Sequence, residues 1–184
     1  IAVAAVGLLA LVAWAERRAA RSVRREGPFE PSRQAGATAP LLYFDPAGFA
    51  KTGDEAGFRK LRAAELKHGR VAMLAAAGAL VQHSVRLPGY EDVPAGLAAA
   101  VTPPGSTGLA FLILWAGAME LRFWPEPVDR EPGDFGDPLG FGVYKLSMRN
   151  RELNNGRFAM FAIVGIMAAE LVTGKDAVQQ LGLP

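Results

Sequence analysis

The stretch ELKHGRVAM, residues 65–73, returns about ninety residues later as ELNNGRFAM, residues 152–160. Each copy stands at the head of an apolar run, and each carries Glu, a polar residue and Arg within a turn and a half. The text before them repeats too. FDPAGFAK (44–51) precedes the first copy and GDPLGFGVYK (136–145) the second. The order is the same both times: an Asp-Pro-x-Gly-Phe turn, a polar spacer, then Glu-Leu-x-x-Gly-Arg-x-Ala-Met. A repeat this long is no solenoid unit. It suits two symmetry-related helices.

In the first copy Glu65, His68 and Arg70 stand at i, i+3 and i+5, and in the second Glu152, Asn155 and Arg157 do the same. Residues three apart share a helix face, and the residue at i+5 is turned to another. Each helix therefore offers two Lewis bases on one side and aims its Arg elsewhere. If the two helices cross, Arg70 can meet Glu152 and Arg157 can meet Glu65. Removing one member of such a buried pair costs about 3–5 kcal/mol, because it strands the other charge. Each Glu keeps an oxygen lone pair after pairing. Gly69, Ala72, Ala75 to Ala77, Gly78, Gly156, Ala159, Ala162 and Gly165 allow close helix approach in lipid and leave room for flat ligands. A zinc or di-iron site needs several donors converging on one ion. Here donors are strung along a helix, which suits an ion that already holds most of its ligands. A magnesium tetrapyrrole, whose ring supplies four nitrogens, is such a case.

The pattern predicts three main helices, over residues 54–85, 108–124 and 147–173, with Gly174 as a C-cap and a short amphipathic turn in KDAVQQLG. Pro88 and Gly89 end the first and Pro125 the second. Residues 27–40 read as an irregular linker, any helix in AGLAAAV is short, and 125–142 is a polar loop. The uncharged cores VAMLAAAGALV and FAMFAIVGIMAA are short, so hydropathy alone assigns them to a soluble bundle. They reach membrane length only if the charged turns before them also lie in the bilayer, and charge at that depth needs a reason.

Composition narrows the field. The chain has 184 residues, one domain of ordinary size, and is 51% hydrophobic with a net charge of +2. The absence of cysteine excludes disulfides, thiolate metal sites and cysteine nucleophiles. Residues 16–33 hold six Arg against three Glu. They read either as a solvated segment or as a membrane-surface anchor. No nucleic-acid motif accompanies them. The first fifteen residues are apolar and uncharged. They fall short of the roughly 20 needed for a full span, and their positive charges follow rather than precede them, unlike a secretory signal. Because the chain starts without Met, upstream sequence is expected to be missing or removed.

The paired motifs ELKHGRVAM and ELNNGRFAM, each behind its Asp-Pro-x-Gly-Phe turn, resemble the first and third transmembrane helices of the chlorophyll-binding light-harvesting antenna proteins of thylakoids. The resemblance covers about residues 43–182. The text ELNNGRFAMFAIVGIMAAELVTGKDA is most similar to chlorophyll a/c antennae of algae with red-lineage plastids, dinoflagellates especially. It implies an all-α membrane protein with three transmembrane helices, the first and third crossed and pseudo-symmetric, plus short amphipathic helices. Residues 1–42 then form an N-terminal apolar and basic arm with a linker. Its start is a remnant of a thylakoid-targeting segment, a truncated extra helix or an interfacial helix. Residues 43–184 form the pigment-binding domain.

By resemblance, Glu65, His68, Glu120, Glu152 and Asn155 are axial ligands of chlorophyll magnesium, and Arg70 and Arg157 are the cross-pairing partners. Arg122 is a local candidate partner for Glu120. Phe44, Asp45, Pro46, Asp137 and Pro138 match the turns that hold the ends of two central carotenoids, and such turns expose backbone groups able to bond a ring hydroxyl. The implied cofactors are chlorophyll a, chlorophyll c and xanthophylls of the peridinin, fucoxanthin or diadinoxanthin type. The implied partners are a photosystem core, neighbouring antenna proteins and thylakoid lipids. The implied function is light harvesting in the chloroplast thylakoid membrane, with no enzymatic step.

The sequence also departs from the family pattern. Many relatives carry a Gln ligand seventeen residues after the third-helix Glu, where this chain has Ala169 followed by Glu170. That chlorophyll is absent, water-ligated or held by Glu170. His83 reads as a polar residue near a helix end or as a ligand, and Gln82 as solvated or as a carbonyl ligand. Met73 and Met160 read as packing, Trp115 and Trp124 as packing or interfacial anchors. Three competing functions remain: a photoprotective quencher of the same family, an ion-coupled membrane carrier using Glu65, Glu152 and His68, and a soluble helical interaction module.

Overall fold

The computed structural model describes residues 28–123, 130–134 and 144–182. The apolar and basic arm up to residue 27, Trp124, and the second Asp-Pro turn with Asp137 and Pro138 lie outside the described residues. Among the described residues the chain is helical and has no strand. The main helices are α1 (Glu55–Ser84), α2 (Gly105–Ala118), α3 (Leu146–Thr173) and the short α4 (Ala177–Gln180).

The local chemistry explains these bounds. Asp54 caps α1, its Oδ1 accepting the Gly57 N–H at 2.8 Å. Gly174 ends α3 in the left-handed region at φ 68°, which its missing Cβ makes inexpensive. Asp176 and Gln179 form a reciprocal capping box that starts α4. α2 begins three residues earlier than expected. Pro103 and Pro104 have no N–H to lose in a first turn, and their neighbours close it, Ser106 N–H onto Thr102 O at 3.1 Å and Gly108 N–H onto Pro104 O at 3.0 Å. The end of α2 widens into a π-turn over Met119–Phe123. The segment AGLAAAV contains one 3-10 turn, Leu97–Ala100.

α1 and α3 cross at a glycine waist. A Cβ built on Gly69 would lie 3.0 Å from the Gly156 Cα, and one on Gly156 would lie 3.0 Å from the Gly69 Cα. A methyl at either position would make the facing backbone give by a few tenths of an ångström. Leu66 and Leu153 flank the waist and, with Ala35, form the buried cluster of the molecule. α2 packs mainly on the 3-10 turn before it and the π-turn after it, and none of its residues is buried.

The core is small and the exterior apolar. Among the described residues no large side chain is fully buried, while Leu74, Phe158, Phe161, Leu171 and Val172 are 76–87% exposed. An apolar side chain of this size gains about 1.5–3 kcal/mol on leaving water. A surface of this kind calls for apolar surroundings. Among the described residues one helix, Leu146–Thr173, is by length and composition able to cross a membrane. The three spans expected from the sequence are not all evident by that measure, because α1 carries charge along its first half and α2 is 14 residues long before its π-turn.

Candidate functional site

The charged groups of the repeat meet at the crossing. Arg70 Nε donates to Glu152 Oε1 at 2.7 Å, and Arg157 Nε donates to Glu65 Oε1 at 2.7 Å. The reciprocal pairing expected from the repeat is therefore present. Both pairs are half-buried on either side of the glycine waist.

Each arginine has a second partner that the sequence did not point to. Arg157 Nη1 donates to Gly36 O at 2.7 Å and Arg70 Nη2 to Gly133 O at 3.2 Å. These glycines play matched parts. Gly36 has φ 94° and Gly133 φ 81°. A Cβ on Gly36 would press on Leu153 and Arg157, and one on Gly133 on Leu66 and Arg70. Each glycine lets a loop lay a carbonyl against an arginine and close the outer side of a pair. The loops have different lengths and sequences, so no repeat marks them. The segment around Gly36 is held further by Gly36 N–H on Asn150 Oδ1 at 2.8 Å, Arg62 Nη2 on Ala35 O at 2.6 Å and Thr38 Oγ1 on Asn154 Oδ1 at 3.0 Å.

The pseudo-symmetry breaks one turn before each glutamate. Arg62 Nη1 donates to Glu65 Oε2 at 2.7 Å, so both oxygens of Glu65 face guanidinium groups. Its counterpart Arg149 turns away from Glu152, pairs with Glu131 and stacks on Tyr144 with its guanidinium 4.9 Å from the ring centre. Glu152 Oε2 has no partner among the described residues. Glu65 keeps only the second lone pairs of its two oxygens, and Glu152 a whole oxygen.

His68 is exposed, and its Nδ1 lies 2.7 Å from Ala64 O. A carbonyl oxygen only accepts, so Nδ1 carries the hydrogen. In the neutral ring Nε2 then keeps a lone pair, the tautomer a metal ligand needs. Asn155 is exposed, and its side chain has no partner among the described residues. The donor set consists of a carboxylate oxygen, an imidazole nitrogen and an amide oxygen, on separate positions along two helices. It fits a magnesium ion that a ring already holds and that would take one more donor, and no group of three or more His, Cys, Asp or Glu able to hold a bare metal ion occurs among the described residues.

Other expected positions have different surroundings. Glu120 pairs with Lys67 on α1, not with Arg122. Glu170 Oε1 accepts the Leu97 N–H at 2.5 Å and so caps the short 3-10 turn. His83 Nδ1 lies 2.8 Å from Asp176 Oδ2 and ties the end of α1 to α4. Gln82 Nε2 reaches back to Ala79 O at 3.5 Å. In the first Asp-Pro turn, Asp45 accepts the Phe49 N–H at 3.1 Å and the Ala50 N–H at 2.8 Å. Those two donors are therefore taken within the turn. Phe44 and Phe49 stand 66% and 73% exposed beside it and offer an apolar platform. The Ala50 N–H above all, then those of Phe49 and Gly48 and the Tyr43 hydroxyl, hold the Asp45 carboxyl below its ordinary range against a smaller opposing effect of desolvation.

Paired charges at a helix waist, single donors facing outward and an apolar exterior define a class of protein that binds ringed cofactors on crossed helices. The chain belongs to the chlorophyll a-b binding protein family, whose model matches residues 29–171. Fucoxanthin-chlorophyll a-c binding protein A of Macrocystis pyrifera is 39% identical over 161 residues, covering 78% of this chain and 74% of that protein. Fucoxanthin-chlorophyll a-c binding protein E of Phaeodactylum tricornutum is 38% identical over 173 residues, covering 85% and 86%. Both relatives are chloroplastic. The resemblance to the chlorophyll a/c branch of the antenna proteins is borne out at this level.

Proposed function

We propose that this protein is an integral light-harvesting antenna of the thylakoid membrane that holds chlorophyll a, chlorophyll c and a xanthophyll of the fucoxanthin type, and passes excitation to a photosystem. The observation that carries the reading is the reciprocal pairing of Arg70 with Glu152 and of Arg157 with Glu65 at the glycine waist. Four charges on an apolar helix pair are costly in lipid unless mutually neutralised. Once neutralised, a glutamate oxygen is a donor without net charge.

In this reading α1, α2 and α3 each span the bilayer, and the charged turns of α1 and α3 lie inside it. The bound pigments supply light absorption and energy transfer. The chain supplies ligation and spacing. Glu65, His68, Glu120, Glu152 and Asn155 would each offer one oxygen or nitrogen to a ring magnesium, and His68 would do so in the tautomer fixed by Ala64 O. Phe44, Asp45 and Pro46, with Asp137 and Pro138 in the second turn, hold carotenoid ends. The exposed faces of α2 and α3 meet pigment, lipid or a neighbouring antenna. No bond is made or broken in this role.

The test is the absorption and fluorescence-excitation spectrum of the native protein purified in detergent. Chlorophyll bands in the red, with excitation passing from carotenoid to chlorophyll, are the expected result. A colourless, folded protein overturns the reading and brings the ion-coupled carrier forward.

A further inference from the structure

We propose that Lys67 is the positioning residue of a third charge-compensated ligand site, where it neutralises Glu120 and locks that donor to the turn of α1 that carries His68. The inference rests on the antenna reading above. The resemblance names Glu120 as a donor, but it leaves the compensating charge open.

Glu120 stands in the π-turn after α2, and no residue from Gly105 to Met119 carries a charge. A carboxylate there needs a cation. Arg122, two residues on in the π-turn, points to another side from Glu120 and does not close the pair. The geometry brings Lys67 instead, with Nζ on Glu120 Oε1. Leu66 and Gly69 mark the side of α1 packed on α3, and at about 100° per residue Lys67 stands about 130° from the middle of that side. The charges of this one turn are therefore shared out. Glu65 and Arg70 serve α3, and Lys67 serves α2.

The arrangement at Glu120 repeats the one at Glu152. In both, one carboxylate oxygen takes a cation from another helix, and the other oxygen has no partner among the described residues. The Glu120 side chain is 49% exposed, so that oxygen can reach a ligand. Lys67 and His68 are consecutive, with Cα atoms about 3.8 Å apart. A single ion pair thus fixes a donor on α2 relative to a donor on α1, although α2 packs mainly on its own flanking turns. The spacing of the two magnesium rings held by His68 and Glu120 then depends on Lys67.

The test reconstitutes the full-length chain with chlorophyll a, chlorophyll c and fucoxanthin and counts pigments per chain after extraction. It compares Lys67→Met, Lys67→Arg and the double variant Lys67→Met/Glu120→Gln. Lys67→Met is expected to lose a single chlorophyll, and the visible circular-dichroism signal of that ring's coupling with it. Lys67→Arg keeps both. The double variant regains the chlorophyll, because the Gln carbonyl is a neutral donor that needs no cation. If Lys67→Met keeps the full complement, or if the double variant stays as depleted as Lys67→Met, the proposal is overturned and the bridge is a strut. Should Lys67→Met lose every pigment, recovery in the double variant still decides. A wild-type chain that takes up no pigment at all overturns the antenna reading itself, which is a different result.

Discussion

Gly69→Ala tests the crossing directly. The new methyl would sit 3.0 Å from the Gly156 Cα and 3.5 Å from the Gly156 carbonyl carbon. Carbon atoms pack comfortably at about 3.5–4.0 Å, so the two backbones must part by a few tenths of an ångström. Neither neighbour is a flexible side-chain end that can swing aside. Overpacking of this kind costs about 1–3 kcal/mol. The movement also stretches the two ion pairs, which span the same waist at 2.7 Å. Lengthened by a few tenths of an ångström, they move to the weak end of the hydrogen-bond range. Partial loss of two charge-assisted bonds adds about 1–2 kcal/mol. The total is about 2–5 kcal/mol, a large share of the stability of a typical domain. It corresponds to a fall in melting temperature of about 5–15 °C. The assay is thermal melting of the pigment-loaded protein in detergent, followed by visible circular dichroism. Gly156→Ala should lose as much, because the contact is reciprocal. The double substitution should lose less than the sum, since the waist is already open. Gly117→Ala is the control. A Cβ there meets nothing within 4 Å, and its melting point should match or exceed the wild type. A Gly69→Ala protein that melts with the wild type would refute the close crossing and the reasoning built on it.

The remaining predictions concern the charges and the donors. Arg70→Leu strands Glu152 and should cost about 3–5 kcal/mol, most of it recovered in Arg70→Leu/Glu152→Gln, as read by the same melting assay. Arg157→Leu should be milder, because Glu65 keeps Arg62 at 2.7 Å; equal losses would show that Arg62 does not compensate. His68→Ala should remove one chlorophyll per chain by pigment extraction, while Ala64 O loses only a surface hydrogen bond. At the far end of α1, the Gln179 N–H, the His83 ring and the Val178 N–H outweigh desolvation and hold the Asp176 carboxyl below its ordinary value. A depressed folded pKa means that this group stabilises the fold above the unfolded value of about 3.9, and that the contribution is lost as pH falls through the folded pKa. The docking of α4 should therefore persist at pH 5 and weaken only below about pH 4, seen as hydrogen-exchange protection around residues 176–180. In Asp176→Asn that acid transition should be absent.

Much of this molecule is written in local text. The caps Asp54 and Gly174, the prolines after α1 and the capping box before α4 act within a few residues, so the bounds of α1 and α3 can be read almost to the residue. The cross-pairing is a long-range contact, yet it too was legible. The chain repeats a motif that places Arg on a different face from Glu, and two copies related by a twofold axis have a single way to neutralise four charges. His68 and Asn155, the proposed donors, stand at equivalent places of the same motif, each at i+3 from its glutamate.

What the tertiary structure alone decided are the contacts without a period or a symmetry mate. Arg62 and Arg149 occupy equivalent places in the repeat, but one turns to Glu65 and the other to Glu131, because different loops crowd them. Gly36 and Gly133 do matching work from loops of unequal length, where no alignment of the two halves brings them together. Lys67 finds Glu120, Glu170 finds the Leu97 N–H and His83 finds Asp176 across gaps that only the folded path of the chain closes. Hydropathy left the spans undecided for the same physical reason. A charge counts against a membrane helix until its partner on another helix is known, and that partner is a property of the packing rather than of either helix.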